Sequence, residues 1–236
     1  MYKPQFIKLL QSTIKIALLE DILPLEKNIE FLENLQDLQI SELISSGILP
    51  LIVTNNNNKT SQAKIFTRQD MVFCGKDIIE TTLELLSPKN YKIQWLCNEG
   101  DQLKTNAIIC YITAPINILL LAERTMLNFL QMLSATATTT RKYVDAVYGF
   151  LSISGQAVKI LDTRKTIPHF RILQKYAVTV GKGHNQRFGL YDAIIIKENN
   201  LKHFANIKDT INFYQQSIKL NNINNIWSQG DQYKLQ

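Results

Sequence analysis

Cysteine is scarce in this chain. The three present, Cys74, Cys97 and Cys110, form an odd set without CxxC or Cys/His metal spacing. That pattern argues against a disulfide framework and for buried structural thiols in a reducing compartment. Long apolar runs are missing too: none reaches the roughly 18–20 residues that a membrane span needs. The N-terminal stretch MYKPQFIKLLQSTIKIALLE is interrupted by Lys8 and Lys15 and lacks a cleavage-like site, so it reads as a helix rather than a signal peptide. No interleaving of aromatic and basic residues suits a nucleic-acid stacking surface. The expectation is a cytoplasmic protein with neither membrane nor nucleic acid as partner.

What is present is a globular composition. In a chain of 236 residues 45% are hydrophobic, enough for a sizeable core and for two modest domains. The net charge of +6 favours anionic partners without choosing among nucleic acid, membrane surface and small phosphorylated substrates.

Local patterns divide the chain. Phe6, Leu9, Leu10, Thr13, Ile14, Ala17 and Leu18 recur at helical spacing and predict an amphipathic helix from Pro4 to about Glu20, and a second helix is predicted for Asn28–Leu38. From Ile48 to Thr113 the texture becomes short β-rich runs, ILPLIV, AKIF, MVF, YKIQWL and AIICYI. Turn formers such as Asn55–Asn58, Gln69-Asp70 and Glu99-Gly100-Asp101 separate them, which predicts a small sheet packed on helices. Asn117 to about Tyr148 is helical in pattern, with a break near Ser134–Thr140 because the run Thr138-Thr139-Thr140 has low helix propensity. Gly149–Gly155 is predicted as a loop and Ile207–Leu220 as a further helix.

Between Ile160 and Asn199 lies the stretch that carries chemistry. One apolar strand is predicted to run into DTRKT, a short helix to follow, a second strand to run into GKGHNQR, and a third, AIIIK, to end on a lysine. Arg164 and Lys165, then Arg187, then Lys197 would thus collect at successive strand ends, which share one face in a β/α barrel. Guanidinium forks with an ammonium point charge suit a ligand bearing several carboxylates or phosphates.

The segments ERTMLNFLQMLSATATTTRKYVDAV, DTRKT, KYAV, GHNQRFGLYD and IKENN, in this order and spacing from Glu123 to Asn200, resemble the quinolinate phosphoribosyltransferase family. LLEDI and RQDMVFCG resemble its first domain. The resemblance implies an α/β protein with an N-terminal α+β sandwich domain, residues 1–114, followed by long helices and an incomplete α/β barrel, residues 115–236, assembled as a homodimer. It implies quinolinate and phosphoribosyl pyrophosphate as substrates, Mg2+ as cofactor, and nicotinate mononucleotide, pyrophosphate and carbon dioxide as products of a step in NAD biosynthesis. Carried over position by position, Arg124 reaches the quinolinate site of the partner subunit, Arg164 and Lys165 are catalytic and substrate-binding, and Gln186, Arg187 and Lys197 bind substrate. Gln186 stands where the family has a histidine, and a glutamine can donate a hydrogen bond but cannot carry positive charge. Asn200 replaces a second family histidine. Arg141, Arg171 and Lys182 read as surface charges, and His169 and His203 as surface or satisfied histidines.

In the family further strands bring an acidic Glu-x-Glu strand, an aspartate strand and glycine-rich phosphate loops. Here, after Lys197, the only acids are Glu198, Asp209 and Asp231 and the only glycine is Gly230. No magnesium ligand is therefore assigned in this chain. The reading is a C-terminally shortened homologue, with a catalytically impaired or inactive dimeric binding or structural protein as the alternative.

Overall fold

A computed structural model of the chain describes residues 4–23, 39–40, 59–193, 195–196, 201–204 and 206–220. These residues form two compact units. The first comprises the chain up to Asp162 together with Thr166–His184, and the second Thr163–Lys165 with the chain from Asn185 onward.

In the first unit, α1 (Pro4–Ile22) buries Leu10, Ile14 and Leu18, whose four-residue spacing puts them on one face. Three antiparallel strands follow, with β1 (Thr60–Phe66) and β3 (Lys92–Trp95) flanking a central β5 (Ile108–Pro115). The short strands β2 (Met71–Val72) and β4 (Gln102–Leu103) make a separate antiparallel pair. Alternate residues of β5, namely Cys110, Ile112 and Ala114, are buried, so one face of the pleat meets the core. Helix α2 (Lys76–Leu86), not foreseen in the sequence, buries Ile78, Ile79, Leu83 and Leu86. It starts at Gly75, whose φ of 135° is closed to other residues and where a Cβ would lie 2.5 Å from Leu130 Cδ2. Residue 114, after which a boundary was expected, lies within β5, and helix α3 (Ile116–Ala146) follows that strand.

Helix α3 is a single element of 31 residues, about 46 Å long. The break expected near Ser134–Thr140 does not occur. Thr136, Thr138 and Thr140 each donate their hydroxyl to the carbonyl four residues earlier, at 3.0, 2.6 and 2.8 Å. Two side chains in this region also hold the β2 segment. Val72 donates its N–H to Thr138 Oγ1 at 2.8 Å, and Cys74 donates to Ser134 Oγ at 3.1 Å. Polar residues of weak helix propensity are retained here because tertiary hydrogen bonds use them.

The stretch after α3 corrects the expected strands. Leu151, in the predicted loop, bridges Ala157 just beyond it, and Leu161 pairs in parallel with His184, but neither grows into a ladder. KYAVTV, read as a second strand, is instead part of helix α4 (Arg171–Val180). Its β-branched residues favour a strand locally, yet packing overrides them: Leu173 and Ala177 are buried, and Phe170 at the helix entrance stacks on Phe129 at 5.5 Å. At the α4 exit, a Cβ on Gly181 would lie 2.4 Å from the Ala137 carbonyl, so the turn fits against α3 only with glycine. What remains of the expected strand–helix–strand unit is one parallel bridge enclosing α4.

In the second unit, Ala193, Ile195 and Ile196 of the predicted third strand have no regular structure, and helix α5 (Ile207–Leu220) forms as predicted. The Asn28–Leu38 helix, the ILPLIV strand, the Asn55–Asn58 loop, Lys197 and Asn200 lie outside the described residues.

Candidate anion-binding site

Among the described residues, four of the expected site residues, Arg164, Lys165, Gln186 and Arg187, belong to the second unit. They stand on irregular segments rather than on strand ends, so loop conformation positions them. Lys165 donates its backbone N–H to Thr163 Oγ1 at 3.1 Å, a local turn that leaves its side chain exposed. Arg187 donates Nη1–H to the Ala193 carbonyl at 2.7 Å. Asp192 accepts the Phe188 N–H at 2.7 Å, closing a short loop behind the guanidinium.

The electrostatics of this cluster are unbalanced. Burial first, and then the positive charge of Arg164, pull the Arg187 guanidinium below its ordinary pKa, while Asp192 acts in the opposite sense. The Nε atoms of both Arg164 and Arg187 are buried and lack a hydrogen-bond partner. Among the described residues, no ion pair includes Arg164, Lys165 or Arg187. Arg164 disfavours the charge of Arg187, and each guanidinium keeps an unspent buried donor that an anion could satisfy.

Asp162 lies two residues before Arg164. It forms a buried ion pair with Lys175 of α4, the two side chains being 7% and 0% exposed. Lys175 did not stand out in the sequence: a lysine in an amphipathic run reads as solvated, and only its flanking by Leu173 and Ala177 hinted at burial. A second, partly buried network involves Glu99. Its carboxylate accepts from Gly75 N–H at 2.8 Å, from Lys76 N–H at 2.9 Å and from Tyr176 O–H at 2.9 Å. It caps α2 from a distant loop and ties α4 to it.

Of the other residues singled out, Arg124 is exposed on α3 in the first unit. Arg141 pairs with Asp145 at 2.7 Å on the surface, and Arg171 donates Nε–H to Thr166 Oγ1 at 3.3 Å. Lys182, His169 and His203 are exposed. His184 contributes backbone rather than imidazole: its N–H donates to Ile160 O at 2.8 Å, and its carbonyl accepts from Asp162 N–H at 3.1 Å. Among the described residues no three His, Cys, Asp or Glu side chains converge.

Comparison with known proteins decides the lineage. Residues 49–134 match the N-terminal domain, and residues 136–226 the C-terminal domain, of quinolinate phosphoribosyl transferase. The chain belongs to the quinolinate phosphoribosyltransferase family. It is 36% identical over 167 residues to a probable carboxylating nicotinate-nucleotide pyrophosphorylase of Bacillus subtilis, covering 71% of this chain and 53% of that protein. It is 38% identical over 145 residues to the carboxylating nicotinate-nucleotide pyrophosphorylase of Mycobacterium leprae, covering 61% of this chain and 49% of that one. The chain thus spans about half the length of these curated relatives. A nicotinate-nucleotide pyrophosphorylase structure from Francisella tularensis superposes with a TM-score of 0.68 at 33% identity, covering 93% of this chain and 65% of that one. Family membership also supplies the architecture: an α+β sandwich followed by an incomplete α/β barrel.

Proposed function

We propose that this chain binds quinolinate and phosphoribosyl pyrophosphate and takes part in their conversion to nicotinate mononucleotide, pyrophosphate and carbon dioxide, a step of NAD biosynthesis. The observation that supports this most directly is the pair of buried, unpartnered Nε donors on Arg164 and Arg187 within a family defined by this reaction. Quinolinate carries two adjacent carboxylates, matching two guanidinium forks. Lys165, exposed beside Arg164, adds a mobile point charge, Gln186 a neutral donor, and Lys197 a further cation by family position.

The chemistry asks for cations rather than for acid–base groups. The bond from the anomeric carbon to pyrophosphate breaks with its electron pair leaving on the pyrophosphate, and the pyridine nitrogen forms the new bond to that carbon. Fixed cations stabilise the negative charge that grows on the leaving group. The resulting pyridinium accepts the electron pair released when the neighbouring carboxylate departs as carbon dioxide, and a proton from solvent completes the product. The share of the described residues lies in orientation and positive charge.

A homodimer in which Arg124 of one protomer serves the site of the other is the proposed assembly, supported by the exposure of Arg124 on α3. The three free, buried thiols suit the cytoplasm, and no helix among the described residues is long and apolar enough to cross a membrane. Titration calorimetry with quinolinate, followed by an assay of quinolinate-dependent pyrophosphate release, tests the proposal. Saturable binding and release are expected; absence of any quinolinate binding by the purified chain would falsify it.

A further inference from the structure

We propose that the buried Lys175–Asp162 ion pair is a positioning pair for the anion site, a claim that builds on the quinolinate reading and extends it to residues outside the cationic cluster. Asp162 is the last residue of the first unit before Thr163–Lys165, and His184 is the last before Asn185–Arg187. These two exits are one hydrogen-bonded pair, since Asp162 N–H donates to His184 O and His184 N–H donates to Ile160 O. Both cation-bearing segments therefore start from a single point of the first unit, and that point is where Lys175 grips Asp162.

The helix that supplies Lys175 is itself held from the other side. The next residue, Tyr176, donates to Glu99, which in turn caps α2 through the Gly75 and Lys76 amides. The Lys-Tyr pair of α4 thus reaches the exit point with one side chain and the sheet lobe with the other. Lysine and aspartate are an odd choice if the aim is only to bury a helix, because a well-packed apolar pair of similar volume holds two elements together equally well. What a charged, hydrogen-bonded pair adds is direction, since an apolar contact tolerates sliding that an ammonium–carboxylate contact does not. Two guanidiniums that must both meet one small, rigid ligand need their segments started in a fixed register.

The test uses the full chain with Asp162→Asn and Lys175→Met combined, which removes both charges and leaves neither one buried alone. Three quantities are measured: the melting temperature, amide hydrogen exchange in peptides spanning residues 160–170 and 182–190, and the quinolinate dissociation constant. The expected result is a melting temperature close to the parent's, with exchange in both peptides faster by about tenfold and the dissociation constant raised by about tenfold or more. Parental exchange, or parental affinity, in the folded double variant overturns the proposal. If the parent itself fails to bind quinolinate, the functional reading falls, and exchange alone decides the positioning claim. Should the double variant not fold, Asp162→Glu keeps both charges while lengthening the carboxyl arm by a methylene. Its exchange and affinity are read in the same way, with faster exchange and weaker binding expected and parental values overturning the claim.

Discussion

Arg187 spends one Nη donor on the Ala193 carbonyl and keeps its buried Nε unspent beside a second guanidinium. Such an arrangement costs stability in the free protein, because burial and Arg164 both disfavour its charge. Arg187→Met is therefore expected to leave the melting temperature unchanged or raise it, while weakening quinolinate by about 10–100-fold, the loss of a charge-assisted bond. Calorimetry beside a thermal melt checks this, and a variant that binds normally would take Arg187 out of the site. The sequence exposed this residue through its motif, but not its environment. Lys175 went unseen for the opposite reason: its identity suggests solvent, and only the distant Asp162 explains a fully buried ammonium. Gln186, legible as a replacement for a histidine, is half-buried here, and a neutral donor at that place fits a cluster already crowded with positive charge.

At the scale of elements, the amphipathic helices α1 and α5 and the helical extent of α3 followed directly from spacing, whereas the continuity of α3 and the identity of α4 did not. In both misread cases β-branched residues, Thr138–Thr140 and Val178–Val180, weakened the local helical signal, and contacts distant in sequence restored it. Thr138 makes the point testable. Thr138→Val keeps the branch and removes the acceptor for the Val72 N–H, so unfolding free energy should fall by about 1–3 kcal/mol in chemical denaturation. An unchanged midpoint would mean that water replaces the hydroxyl. The turn between β4 and β5 offers a pH handle. There the Lys104 ammonium, together with the Thr105 amide and hydroxyl, lowers the Asp70 carboxyl from 3.8 to about 2. A depressed carboxylate stabilises the fold above its unfolded value and loses that contribution as the pH falls toward 2. Lys104→Ala should move the Asp70 titration, followed by carbon-detected NMR, back up toward 3.8.

For the whole molecule, family membership sets the frame and the charge distribution sets the question. The site proposed here draws on Arg124 from one protomer and on the Arg164–Arg187 cluster from the other. Arg124→Ala should thus reduce quinolinate affinity by about tenfold or more in dimers. Mixing it with an Arg164→Ala variant should restore a fraction of sites, because each mixed dimer rebuilds one intact combination. Sedimentation velocity and calorimetry on the mixture check both halves, and undiminished binding by a dimeric Arg124→Ala variant would remove the shared site. The α+β lobe was largely readable from short runs and turn residues. The barrel portion was readable mainly as a lineage, because a parallel strand of a few residues acquires its conformation from neighbours on both sides and leaves little mark of its own.

The two regions of family similarity meet at residue 135, in the middle of helix α3. Ser134, which holds the Cys74 amide, lies on one side of that meeting point. Thr138, which holds the Val72 amide, and Ala137, against which Gly181 closes, lie on the other. A boundary that looks like a seam between modules in sequence is, in three dimensions, the middle of a shared beam. Anyone dividing this chain for expression, fusion or chimera-building should move the cut away from the seam, because severing it there would leave each fragment with half of the scaffold that the other needs.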